Sequence, residues 1–202
     1  MADIPTCSGY RIRLIVLLFF IIFLRSLQSD CFSHQIITSD GNKQKTIALN
    51  DAAHIESRYR AGSRIYNITD SLVGKGSICL TALAMSQAEG IILKVETFGI
   101  PDKTVFSWKF GGVSDTRFSR EGDLGVDPID CFELKPEYCK GNIYTLNKNS
   151  FSLTFGAKQD KKLVGTFPTK ATLSIDPGLP VLLGKMNLSG NATFYLAIKI
   201  PE

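Results

Sequence analysis

Residues 191–200 alternate without interruption: Ala192, Phe194, Leu196, Ile198 and Ile200 fall on one side, and Thr193, Tyr195, Ala197 and Lys199 on the other. Successive side chains of an extended chain point to opposite faces, so this pattern specifies a strand with one buried face. The same period recurs upstream. Ile78, Leu80, Ala82 and Ala84 share a side within residues 77–85, and residues 91–98 follow a Glu89-Gly90 turn. Phe106, Trp108 and Phe110 alternate with Ser107 and Lys109, which puts the single tryptophan in a core rather than at a binding site. Phe151, Leu153 and Phe155 alternate with Ser152 and Thr154. Residues 143–146, 169–175 and 179–183 are further short strands, with Asp176-Pro177-Gly178 and Ser189-Gly190-Asn191 as turn chemistry. About seven or eight short strands separated by Gly, Pro and Asn turns predict an all-β protein, a β-sandwich.

The N-terminus has a different chemistry. Arg11 and Arg13 precede an unbroken apolar run of 11 residues at 14–24, followed by a polar stretch to Ser29. A membrane-spanning helix needs about 20 apolar residues. The shorter run is therefore expected to be the apolar part of a cleaved signal peptide over residues 1–29, and the protein is expected to be exported. Residues 30–50 are polar, with Ile36, Ile37 and Ile47 as isolated apolar points, and predict an arm outside the core. The sandwich domain is then residues 51–202. At its start Asn50 would cap a short helix carrying Ala52, Ala53, Ile55 and Tyr59, which Gly62 stops; an irregular loop is the alternative.

Without the leader, 20 Lys and Arg stand against 18 Asp and Glu among 173 residues. So small an excess of positive charge argues against nucleic acid as a partner. Four cysteines remain beyond residue 29: Cys31, Cys79, Cys131 and Cys139. In an exported chain an even number of cysteines implies disulfides, two here. Three pairings are open to sequence, and the expected one joins Cys31 to Cys79 and Cys131 to Cys139. A zinc site is disfavoured, because no C-x2-C pair occurs and His34 and His54 are the only histidines.

Catalytic chemistry finds little support. Both histidines lie in the weakly patterned N-terminal part, and no Gly-x-Ser-x-Gly elbow is present. A phosphate loop over residues 73–77 lacks its first glycine, since position 69 is Thr69. Asp115, Glu121, Asp123 and Asp127 lack the ligand spacing of a calcium loop, and Lys158, Lys161 and Lys162 read as a charged hairpin turn. No enzyme activity, metal or cofactor is expected. Residues 111–142 hold five glycines and little periodicity, the character of a functional loop. Sequons begin at Asn67, Asn187 and Asn191 and would be glycosylated in a eukaryotic secretory pathway.

The short leader, Cys31, Cys79 and the closing run from Gly190 to Ile200 together resemble bacterial chaperone–usher fimbrial subunits and adhesins. That resemblance implies an immunoglobulin-like β-sandwich lacking one strand, whose groove is filled by strand addition at an open sheet edge. Position by position, it assigns Ala192, Phe194, Leu196, Ile198 and Ile200 to the strand bordering the groove. It assigns Cys31 and Cys79 to the structural disulfide and residues 33–49 to the donor arm. It implies cell adhesion at the cell surface, with other fimbrial subunits, a periplasmic chaperone, an outer-membrane usher and a host receptor as partners. The sequence departs from the family at its end, Ile200-Pro201-Glu202, and in its second cysteine pair. The alternative expectation is a secreted, free-standing β-sandwich that binds a host protein or carbohydrate.

Overall fold

The computed structural model describes residues 32–40, 43–111, 134, 136–156 and 158–201. The expected signal peptide, Cys31, Cys131 and the acidic loop residues lie outside these. Among the described residues, eleven antiparallel strands form the fold. They are β1 Phe32–Asp40, β2 Lys43–Ala48, β3 His54–Arg60, β4 Ser63–Thr69, β5 Ser77–Ala84, β6 Gly90–Phe110, β7 Ile143–Asn147, β8 Ser150–Phe155, β9 Lys161–Thr166, β10 Thr172–Ile175 and β11 Leu182–Lys199. Among the described residues one helical turn, α1 Pro136–Cys139, and two 3-10 turns, Leu49–Asp51 and Ser71–Val73, join them.

β6 and β11 are far longer than an ordinary strand and run antiparallel along most of their length. Each serves in two layers. The first half of β6 lies between β5 and the second half of β11, which continues through β9, β8 and β7. Its second half lies between β1 and the first half of β11, which also carries β10. The layers are thus β3-β4-β5-β6-β11-β9-β8-β7 and β2-β1-β6-β11-β10.

The corner between the layers has a specific chemistry. The β6/β11 ladder slips at Leu188, Gly190 and Ala192, where Gly190 has φ 60°. On β6 the matching bend is at Gly99, φ 58°, a conformation that glycine adopts without steric cost. Two side chains replace the lost ladder bonds. Asn191 Oδ1 accepts from Gly99 N–H at 2.8 Å, and the buried Thr97 hydroxyl donates to Gly190 O at 3.4 Å and accepts from Ala192 N–H at 3.0 Å.

Folding the layers together buries the alternating residues. The Phe106 ring meets Phe194 edge-on at 5.5 Å, and Phe110 meets Phe151 at 5.5 Å, each pair crossing between the layers. Ile36, Leu80, Val95, Leu153 and Leu196 fill the interior around them. The β-sandwich expected from the sequence is therefore the fold, and Trp108 is in its core at 1% exposure.

Several local expectations are corrected. The described part of the expected arm, residues 32–40 and 43–50, does not lie outside the core: β1 pairs with β6 and buries Ile36, and Leu49 closes over the core. The helix expected after Asn50 is instead a 3-10 turn and the edge strand β3, whose side chains are almost all exposed. Ala52 and Ala53 favour helix, but intrinsic propensity is a weak prior, and here the chain from His54 to Arg60 pairs with β4 instead. Lys161 and Lys162 open β9 rather than sitting in a turn. The strands read separately at 91–98 and 105–110 are one element, as are those at 179–183 and 191–200.

Candidate functional site

β11 holds most of the residues that the sequence singles out. Phe194, Leu196 and Ile198 point inward and are buried, whereas Ala192 and Ile200 are half-buried at the ends of the run. They do not line an empty groove. On the side of β11 away from β6, β10 accompanies residues 182–185 and β9 accompanies residues 197–199. Among the described residues no strand pairs with residues 186–196 on that side. The chain crosses between β9 and β10 here, and Phe167 enters the core as it does so. Its ring stacks on Phe151 at 5.5 Å and 16°, and lies 5.2 Å from Trp108. The interior behind the unpaired edge is thus filled by the chain's own side chain.

The donor arm assigned by resemblance is likewise engaged. Residues 33–38 pair with β6 of the same chain. Cys79, assigned to a disulfide with Cys31, is a thiol in β5. It sits in the outward set of β5 side chains between inward Ile78 and Leu80, while residue 32 begins a strand of the opposite layer. No disulfide forms among the described residues. Cys139 is buried at the end of α1.

The outer face of the first layer carries a set of reactive and polar groups that the sequence reading missed. Because the strands are in register, two rows run across it. One joins Asn67, Cys79, Glu96 and Thr193; the next joins Ile65, Thr81, Lys94 and Tyr195. Side chains directly opposite on such a face are about 5 Å apart. Lys94 Nζ lies 2.7 Å from Glu96 Oε1, both side chains being about one quarter exposed. This hydrogen bond raises the Lys94 pKa, and the charges of Glu96, Tyr195 and Cys79 act in the same direction. Burial pushes the Cys79 thiol up against a smaller opposing hydrogen bond from Thr81, so the thiol stays protonated at neutral pH. Tyr195 stands over this group with 53% of its surface exposed. A second ion pair, Arg58 with Glu56 at 2.7 Å, lies on the edge strand β3, separated from β6 by β4 and β5. The signal was present in the sequence: Lys94 and Glu96 alternate with Leu93, Val95 and Thr97, as Tyr195 does with Phe194 and Leu196.

The two histidines lie apart. His34 is buried in β1 at 5.6 Å from the Phe106 ring, and desolvation lowers its pKa to about 3. His54 is exposed at the start of β3, in the other layer. Among the described residues no three His, Cys, Asp or Glu side chains gather in the geometry of a metal site.

The family model for a domain of unknown function, DUF4450, matches residues 36–178, which runs from β1 past β10 and covers more than two thirds of the chain. No curated protein matches the chain.

Proposed function

We propose that this chain, which belongs to the DUF4450 family of domains, is an exported, non-enzymatic β-sandwich that stands alone and binds a host protein or carbohydrate. The observation that carries this reading is Phe167. A subunit completed by strand donation leaves its groove open to an incoming strand. Here Phe167 fills the interior between Trp108 and Phe151 beside the unpaired length of β11. The N-terminal residues that would be donated are held in the chain's own β1. A role without catalysis fits His34, which stays neutral in the core across the physiological range.

A second reading, the fimbrial subunit or adhesin, is favoured by one feature: residues 192–196 of β11 present an edge without a ladder partner among the described residues. Strand addition there would extend the first layer by backbone hydrogen bonds. The slipped register at Leu188, Gly190 and Ala192 restricts it to this short stretch, because bulges disrupt edge pairing.

The purified protein separates the two. The free-standing reading expects a monomer by light scattering and one cooperative thermal transition without any chaperone. Recovery only as a complex with a co-expressed periplasmic chaperone overturns it and supports the fimbrial reading.

A further inference from the structure

We infer that a second copy of this chain docks on the free edge of β3, so that two first layers join into one continuous antiparallel sheet about a two-fold axis at Ser57. Such a dimer goes beyond the ligand-binding reading and does not depend on it, because each copy keeps a complete sandwich.

The ladder decides which backbone groups of β3 are free. Ala84 N–H donates to Gly62 O, in line with the register that sets Arg64 opposite Ala82. Hydrogen-bonded pairs alternate along an antiparallel ladder, so Arg64, Tyr66 and Ile68 bond β5, and Ser63, Ile65 and Asn67 turn their backbone groups to β3. Their partners there are Arg60, Arg58 and Glu56. Ile55, Ser57 and Tyr59 therefore direct N–H and C=O away from β4, and among the described residues no strand takes them up. Such an edge is a template for another strand unless proline, a bulge or repelling charge blocks it. β3 has no proline and keeps an unbroken register with β4. Tyr59 on this edge is 67% exposed, more than any other large hydrophobic side chain among the described residues.

Charge selects the occupant and the register. A two-fold axis at Ser57 sets Ser57 against itself, and Ile55, Glu56 and His54 of one copy against Tyr59, Arg58 and Arg60 of the other. The free backbone groups then meet in hydrogen-bonded pairs, Ser57 at the axis and Ile55 with Tyr59 on either side. Glu56 meets Arg58 twice, in the closer pairs between them, on the face where these two already form a 2.7 Å ion pair within one strand. Moving the axis to Arg58 or to Glu56 sets that charge against itself, and like charges directly opposite are destabilising. β7, at the other end of the first layer, has five residues and no charge, so no such selection acts there. The contact is one strand wide, smaller than a standard interface, so the dimer forms only at about 0.1–1 mM. At the dilution of light scattering each copy is a monomer.

Sedimentation velocity on the whole purified protein, from about 0.02 to about 1 mM, is the test. The wild type should pass from monomer toward dimer over that range. Ser57→Pro removes the N–H at the axis and none of the bonds to β4, and should abolish the association. Glu56→Arg and Arg58→Glu each set like charges opposite, and each alone should weaken self-association at least about fivefold. An equimolar mixture of these two variants restores opposite charges in both pairs and should associate at least as well as the wild type. Unchanged thermal midpoints show that these exposed substitutions leave the fold intact. A wild type that stays monomeric to the highest concentration overturns the proposal. So does a dimer indifferent to Ser57→Pro or to both charge reversals, or a mixture that associates no better than either variant alone.

Discussion

Trp108 lies over Gly184, its ladder partner on β11, so closely that a Cβ on Gly184 would overlap the indole ring. The glycine is the hollow into which the largest core side chain fits. Gly165 has the same relation to Phe151 across the other layer. Gly184→Ala is therefore expected to destabilise the protein by about 1–3 kcal/mol through overpacking. Urea unfolding followed by the fluorescence of the single tryptophan measures it, and a stability equal to the wild type would refute the close fit.

Phe167 closes the sandwich where the chain passes between layers. It is 2% exposed and touches both Trp108 and Phe151. Phe167→Ala should cost about 3–5 kcal/mol, the transfer term plus a cavity. Exposure of the core would also raise binding of a hydrophobic dye, a readout that a simple loop residue would not move.

The corner depends on Asn191 and Thr97 rather than on glycine alone. Asn191→Ala removes the acceptor for Gly99 N–H and should cost about 1 kcal/mol, whereas Asn191→Asp keeps it. Thr97→Val removes a buried hydroxyl that serves Gly190 O and Ala192 N–H, and should cost about 1–3 kcal/mol. Denaturation midpoints of the three variants test this order.

His34 sets an acid limit. Its folded pKa, about 3, is below the ordinary value of 6.5, so between these values the unfolded state binds more protons. Its contribution is fully present above pH 6.5 and is lost as pH falls toward 3, by about 1.4 kcal/mol per pH unit at the steepest. Stability measured from pH 7 to pH 4 should fall less steeply in His34→Leu than in the wild type. Equal slopes would place the acid sensitivity elsewhere.

Cys79 should be alkylated by iodoacetamide without prior reduction, slowly at neutral pH because burial raises its pKa. A non-reducing peptide map that finds Cys79 in a disulfide would contradict the fold described for β5. Cys79→Ser should leave stability nearly unchanged, since the side chain is on the outer face.

Legibility in the sequence followed burial. β5, β8 and the second half of β11 showed a clean period of two because one face of each is buried and the other exposed. β3 showed none, since an edge strand with nearly every side chain in solvent has no apolar face to record. β1 was obscured for a related reason: it borrows its core contacts from β6, and Ile36 is the one fully buried apolar residue among its described side chains. At the candidate site Tyr195 and the Lys94, Glu96 alternation were visible as letters. Their neighbourhood was not.

The local alternation of residues 192–200 determined that they form a strand and which side faces inward, because side-chain direction in a strand depends only on position parity. It did not determine what lies beside that strand. Whether Phe167 or a foreign strand fills the space next to β11, and whether Cys79 meets Cys31 or Lys94, depends on where β6 and β11 bend. Those bends come from Gly99 and Gly190 held by Asn191 and Thr97, contacts between residues more than ninety positions apart. Only the folded chain brings them together.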